Sequence, residues 1–381
     1  MPLDYAHSIR PSAGQSTHRA PVTTSTTVNE GCQGFNKVEN RVPYLDGLRA
    51  VAILLVLFAH AQASVGFPLF LQQCAKLFPL NLGALGVDIF FVISGFIITH
   101  ILLREEERVG RVSTVNFWKR RALRILPALV VYLSFVVCLG LIHPQMSVSR
   151  VDVLMALTFS SGILAPERSW WLGHTWSLSI EEQFYLGWPL ALRLMPRNRL
   201  RLFVMAGVIF PLASAALYRL MGVSSSWLLP ANAGYLLAGC ALAIYRRSNP
   251  PLASSGLPVW TMAAFALLCV IVPGWLAGRH LLGVFTVPFG SLVAGLGIAL
   301  LMNQLLSDEW PLIGRALEAS TMKLLGRASY SIYLWQQLFL CENGLFWVQQ
   351  FPQNLLMATL AGGGVAVHRG TTIFEDESRL F

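Results

Sequence analysis

The chain has 381 residues, of which 55% are hydrophobic and only 12% are charged. A soluble domain carries about 25% charged residues, so this composition excludes an ordinary globular protein; it also excludes disordered and nucleic-acid-binding chains, whose charge comes with a polar background. Lysine and arginine number 28 against 19 acidic residues, and this net charge of +9 is typical of a membrane protein with basic cytoplasmic loops.

The first part of the chain, residues 1–41, is polar, rich in serine and threonine, and lacks the apolar core of a secretory signal. We expect it to be a disordered cytoplasmic tail. Ten apolar stretches follow, most of them about as long as a helix needs to be to cross the hydrocarbon core. They are 48–66, 84–103, 125–142, 177–195, 201–221, 227–245, 258–277, 280–303, 324–341 and 354–367. The predicted fold is an all-α polytopic membrane protein, with a transmembrane domain over 42–367 and an atypical tail over 368–381.

Two basic segments, 104–124 and 193–201, determine the predicted topology, because such segments stay on the cytoplasmic side of a membrane. They can share a side only if an even number of crossings separates them. The two spans between them satisfy this condition, so the additional apolar stretch 151–165 should not cross. Both chain termini are then expected in the cytoplasm, and the protein in the inner membrane of a bacterium.

The histidine of the first span shares a helix face with an arginine at its inner end. His60 follows Arg49 by eleven residues. Eleven residues return a helix to within about 20° of its starting direction and advance it by about 16 Å. Ionisable groups inside a membrane are costly and tend to be functional. We interpret His60 as a general base; the alternative is a structural histidine that hydrogen-bonds to a neighbouring helix.

Two carboxylates are predicted at the depth of this histidine. Asp88 lies near the outer end of the second span, and Glu181 lies about one turn into the fourth. A carboxylate there would orient the imidazole or stabilise its charged form. The alternative is that each is an interfacial group in contact with water. Because Glu181 and Glu182 point about 100° apart, at most one of them should face the same site.

A basic run that includes Arg120, Arg121 and Arg124 lies at the cytoplasmic mouth of the third span. One interpretation is that the run only sets the topology. The other is anion binding, because Arg121 and Arg124 are three residues apart on one helix face and paired guanidinium groups suit phosphates.

Several short pieces of the sequence carry a family resemblance when they are taken together. They are YLDGLRA at 44–50 with His60 after it, FFVISGF at 90–96, the pair Arg121 and Arg124, HTWSL at 174–178, EEQFY at 181–185 and ASYSIYLW at 328–335. In this order they resemble the acyltransferase 3 family of bacterial integral-membrane O-acyltransferases. One departure is that Gln336 and Gln337 follow Trp335, where many relatives carry histidine.

The resemblance implies a ten-helix enzyme that takes an acyl group, in the simplest case acetyl, from cytoplasmic acyl-coenzyme A. It implies delivery of that group to a hydroxyl of an envelope or exported saccharide or glycolipid. By the same resemblance His60 is the catalytic histidine, Arg49 is its motif partner, Glu181 is the family's membrane glutamate, and Arg121 and Arg124 handle the donor. Acyl-coenzyme A is a co-substrate, and we expect neither a tightly bound cofactor nor a nucleic-acid partner.

The six cysteines are widely spaced along the sequence, and this spacing indicates no metal site.

Two other functions stay open on the sequence alone. One is a transporter or flippase of a lipid-linked sugar, which would use the same buried charges for ion coupling. The cytoplasmic arginine pair together with the histidine on one axis argues against it, since a transporter does not need this combination. The other is an inactive, truncated relative, suggested by the atypical end of the chain. For an enzyme, Ser94 and Ser177 are alternative nucleophiles that would form a covalent acyl-enzyme.

Overall fold

The computed structural model describes residues 42–77, 80–163, 169–195, 199–248, 258–342, 344 and 346–370. The secondary structure of these residues is helical, without strands. The predicted tail over 1–41 lies outside the described residues, as do residues 371–381 of the predicted C-terminal tail.

Ten of the fourteen described α-helices overlap the ten predicted spans, one helix for each span. In chain order the helices are α1 (Leu45–Ala61), α2 (Leu69–Leu77), α3 (Leu82–Val109), α4 (Thr114–Ile142), α5 (Arg150–Leu157), α6 (Trp170–Gly173), α7 (Thr175–Leu194), α8 (Arg199–Met221), α9 (Leu229–Ser248), α10 (Val259–Gly278), α11 (Gly283–Leu306), α12 (Pro311–Leu317), α13 (Ser320–Trp335) and α14 (Gln353–Gly370). The short helices α2, α5, α6 and α12 lie in the connections between the long ones.

Five described helices are long and apolar enough to cross a membrane by length and composition alone. They are Leu82–Val109, Thr114–Ile142, Arg201–Met221, Val259–Gly278 and Phe285–Leu306. The protein is therefore a membrane protein with several apolar helices. Crossing by the other five long helices stays a prediction.

The apolar stretch 151–165 forms only a short helix in its described part. Helix α5 has eight residues, and turns follow it as far as Ile163. Eight helical residues extend about 12 Å, well short of the roughly 30 Å hydrocarbon core. The described part of this stretch, 151–163, therefore lacks a helix that could cross on its own.

The second predicted span ends at residue 103, whereas α3 continues to Val109. Three consecutive glutamates lie on this extension: Glu105, Glu106 and Glu107. Each pairs with an arginine of a different helix, namely Arg120 of α4, Arg199 of α8 and Arg247 of α9. The basic segments that we predict to be cytoplasmic therefore meet at one end of the bundle.

Reporter fusions test which side of the membrane this end faces. Fusions at Pro43, Arg108, Arg199 and Arg247 should all report a cytoplasmic location, because basic residues favour that side. A fusion at Ser147, at the opposite end of α4, should report a periplasmic location and serves as the control. A periplasmic signal at Arg199 would contradict the ten-span topology.

Helices α3 and α9 approach each other closely through two glycines. A Cβ atom added at Gly95 would meet the backbone of Leu236, and one added at Gly239 would meet the backbone of Val92. Small residues at such crossings let membrane helices pack without a gap. This contact fixes the rotation of α3 about its axis, and with it the side chains that α3 presents to α1, α7 and α13.

Candidate active site

A cavity of about 750 Å³ opens beside the end of α1 that carries His60. Small-molecule sites typically have volumes of about 300–1,000 Å³ and a mainly apolar lining with a few polar groups. The polar side chains that line this cavity are His60, Asn81, Ser169, His174, Tyr333 and Gln337. Three tryptophans also line it: Trp170, Trp176 and Trp227. We call it the large cavity.

A narrower cavity of about 60 Å³ lies further along the same helices. Its polar lining comes from Arg49, Ser94, Ser177, Glu181, Ser329, Tyr330 and Tyr333. Val87 and Tyr333 line both cavities, so the two are neighbours. The small cavity contains Arg49 and the large cavity contains His60, as expected for two side chains on one face of α1.

The imidazole of His60 is held by a glutamine from the end of α13. Its Nδ1 atom lies 3.1 Å from Oε1 of Gln336, and its ring meets the edge of Trp170 at 5.8 Å. Because an amide oxygen only accepts hydrogen bonds, this assignment places the hydrogen on Nδ1 and leaves Nε2 as the basic nitrogen. Gln336 is fully buried, at 0% exposure, so water does not compete for this bond.

The predicted meeting of His60, Asp88 and Glu181 is wrong in its geometry. Asp88 hydrogen-bonds with Tyr235 of α9 and lines neither of the two described cavities. It follows Val87, which faces both cavities, by one residue, and that step turns the side chain by about 100°. Helix α3 therefore presents Asp88 to α9 and away from the imidazole.

Glu181 lies in the small cavity and not beside His60. It follows His174, a residue of the large cavity, by seven residues, and two helical turns advance α7 by about 10 Å. Its Oε1 accepts a hydrogen bond from Ser94 Oγ at 2.8 Å. Its catalytic role stays a prediction, and its nearest cation is an arginine of α4.

That cation is Arg121, which is turned into the helix bundle. Its Nη2 lies 3.6 Å from Oε2 of Glu181, and its Nε lies 3.3 Å from Oε1 of Glu182. Its guanidinium carbon lies 3.9 Å from the centre of the Tyr185 ring. Arg121 therefore links α4 to α7 through two carboxylates. Donor binding by Arg120, Arg121 and Arg124 stays a prediction, but Arg121 already has internal partners.

Arg49 presents an unpaired donor to the small cavity. Its Nε is buried and has no hydrogen-bond partner among the described residues. Most buried polar groups in proteins have a partner, and the exceptions call for an explanation such as a catalytic or binding role. The position suits a hydrogen bond from Arg49 to a polar group of a bound substrate.

Sequence reasoning missed Gln336, His174 and Tyr333 as site residues. The Tyr333 hydroxyl lies 2.6 Å from Ser177 Oγ and donates a hydrogen bond to the His174 carbonyl oxygen at 3.2 Å. All three residues fall inside or directly beside the short pieces that carry the family resemblance. Their position in these pieces of sequence could have indicated that they belong to the site. A tyrosine or glutamine in an apolar helix does not by itself indicate which helix it contacts.

Replacing Gln336 with leucine should lower acyl transfer about tenfold or more, because the imidazole loses the acceptor that fixes its tautomer and orientation. Each tenfold loss of rate corresponds to about 1.4 kcal/mol of barrier. The measurement is turnover in membranes at matched protein abundance. Gln336→Glu retains an acceptor oxygen and should retain more activity than Gln336→Leu. Normal turnover in the leucine variant would contradict this role.

Comparison with known proteins supplies independent evidence. The family model of an acyltransferase domain matches residues 42–367. The chain is 28% identical over 352 aligned residues to the O-acetyltransferase OatA of Staphylococcus aureus, covering 82% of this chain and 53% of that protein. It is 28% identical over 329 residues to the peptidoglycan O-acetyltransferase OatA of Listeria monocytogenes, covering 77% and 48%. The chain thus spans about half the length of these relatives. No solved structure matches it.

Proposed function

The chain belongs to the acyltransferase 3 family, and from this membership we propose that it is a membrane O-acyltransferase. The proposed donor is cytoplasmic acyl-coenzyme A, with acetyl as the simplest acyl group. The proposed acceptor is a hydroxyl of an envelope or exported saccharide or glycolipid, reached from the bacterial inner membrane. The names of the relatives, an O-acetyltransferase and a peptidoglycan O-acetyltransferase, support the acetyl group and the saccharide acceptor.

One observation supports this proposal: Arg49 and His60 line two neighbouring cavities that share Val87 and Tyr333, and the proposed route of the donor runs past both. In this proposal the thin pantetheine arm of coenzyme A lies along the small cavity, which has a volume of about 60 Å³. The large cavity, at about 750 Å³, has room for the thioester and part of an acceptor. The small cavity lies nearer the end of the bundle where the basic segments meet, because its lining residue Glu181 contacts Arg121 of the basic run.

The phosphates of the donor would bind outside the route, at its basic end. Arg120 and Arg124 lie in the first three turns of α4, and guanidinium groups form charge-assisted hydrogen bonds with phosphate. Arg49 would then contact the arm or the carbonyl of the donor inside the small cavity. Arg121 would act on donor binding indirectly, since it positions α4 against Glu181 and Glu182.

The reaction needs a proton acceptor beside the attacking hydroxyl. Nε2 of His60 would remove the proton as the acceptor oxygen attacks the thioester carbonyl carbon. The carbon–sulfur bond then breaks, and the thiolate leaves with the electron pair. A direct transfer needs no acyl-enzyme. Among the alternative nucleophiles, Ser94 donates its hydrogen bond to Glu181, and Ser177 shares one with Tyr333.

The test is transfer of label from acetyl-coenzyme A to a saccharide acceptor by membranes that contain the full chain. A base-labile ester on peptidoglycan fragments or another envelope saccharide is the expected product. Membranes without the protein are the control. Movement of a lipid-linked sugar across the membrane with no ester formed would contradict the proposal and favour a transporter.

A further inference from the structure

A second histidine lines the large cavity, and no described side chain hydrogen-bonds to its ring nitrogens. His174, at the N-terminus of α7, is only 4% exposed and lines this cavity. Neither Nδ1 nor Nε2 makes a hydrogen bond of normal geometry with a described residue, although the backbone of Leu334 lies close to the ring. Burying a polar group without a partner costs free energy, and such exceptions in folded proteins call for an explanation.

The ring of His174 is held by aromatic packing instead of hydrogen bonds. Its centroid lies 5.5 Å from that of Tyr132 and 5.6 Å from that of Tyr333, both in edge-on arrangements. The two tyrosine hydroxyls bind elsewhere: Tyr132 donates to the Trp171 carbonyl oxygen at 2.6 Å, and Tyr333 binds Ser177 and the His174 carbonyl oxygen. Aromatic packing therefore fixes the imidazole at the wall of the cavity, and no described side chain hydrogen-bonds to its nitrogens.

The surroundings of the two histidines differ in a way that assigns them different roles. His60 has Gln336 as a partner for Nδ1, so its other nitrogen is set to accept a proton. No ion pair between His174 and a described carboxylate is present, so no counter-charge offsets the burial of the ring. A neutral imidazole held without a counter-charge suits hydrogen-bond donation to a developing negative charge, as in other enzymes that use histidine as an electrophile.

We propose that His174 donates a ring N–H hydrogen bond to the oxyanion formed at the thioester carbonyl during transfer; this inference rests on the proposed function. The acceptor oxygen forms a bond to the carbonyl carbon while its proton passes to His60, and the carbonyl π electrons move to oxygen. His174 stabilises that oxygen. The electron pair then returns to re-form the carbonyl, the carbon–sulfur bond breaks, and the thiolate takes the proton from His60.

Three variants separate this role from packing and from base catalysis. His174→Phe preserves the ring between the two tyrosines but removes the N–H, and should lower kcat by about 10²–10³-fold with donor binding unchanged. His174→Gln still offers an N–H donor and should recover at least about tenfold of that loss, with the pH profile of the wild type. His60→Gln should show no such recovery, since an amide cannot take the proton of the attacking hydroxyl.

Acyl transfer, donor binding and protein abundance are measured on the same membranes. Wild-type turnover in His174→Phe would overturn the inference and leave the proposed function intact. A well-expressed His174→Gln protein as inactive as the phenylalanine variant, or one with an altered pH profile, would overturn it as well. A wild-type chain that transfers no acyl group would overturn the proposed function, and with it this inference.

Discussion

Replacing His60 with glutamine should lower acyl transfer by about 10²–10⁴-fold while binding of acyl-coenzyme A persists, because that is the usual contribution of a general base. Glutamine has a similar reach, and its amide N–H can still donate to Oε1 of Gln336, the present partner of Nδ1. It cannot accept the proton of the attacking hydroxyl. The loss would therefore report proton transfer and not the collapse of the cavity.

The matched control for this experiment is another histidine of the bundle. His100 of α3 stacks on Phe96, with ring centroids 5.7 Å apart, and lines neither of the two described cavities. His100→Gln should leave turnover near the wild-type value. Activity is measured with labelled acyl-coenzyme A and an envelope saccharide, and protein abundance is checked by blotting. Near-normal turnover of His60→Gln at normal abundance would refute the general-base role and favour the transporter.

Replacing Arg121 with alanine should destabilise the folded protein by on the order of 2 kcal/mol. Breaking an exposed ion pair costs about 0–1 kcal/mol, and breaking a buried one costs about 3–5 kcal/mol. The side chains of Arg121, Glu181 and Glu182 are 23%, 17% and 15% exposed, which places this network between those limits. The variant would leave two neighbouring carboxylates facing each other without their cation.

Thermal unfolding in detergent measures this effect. Arg120→Ala is the matched control, because the Arg120 side chain is 34% exposed and its Nη2 lies 3.7 Å from Oε2 of Glu105; this variant should cost less than about 1 kcal/mol. Adding Glu181→Gln and Glu182→Gln to Arg121→Ala should restore part of the stability, as expected for coupled residues. If Arg121→Ala unfolded at the wild-type temperature but lost donor binding, Arg121 would be a donor ligand, as the family resemblance implies.

The ten long helices could be predicted from the sequence because each one contains a stretch of apolar residues. All ten predicted stretches overlap long helices among the described residues, including α14, whose predicted stretch is the shortest of the ten. The boundaries were less predictable. Helix α3 extends to Val109 and α4 begins at Thr114, because charged residues beyond the apolar core remain helical when ion pairs between helices stabilise them.

The sequence by itself determined that Arg49 and His60 share one face, because both lie on a single helix whose geometry is fixed by its backbone hydrogen bonds. It could not determine which groups from other helices meet that face. The close approach of α3 to α9 at Gly95 and Gly239 turns Asp88 toward Tyr235. The rotation of each helix about its axis depends on packing against its neighbours, and only the tertiary structure therefore places Gln336 and His174 in the site.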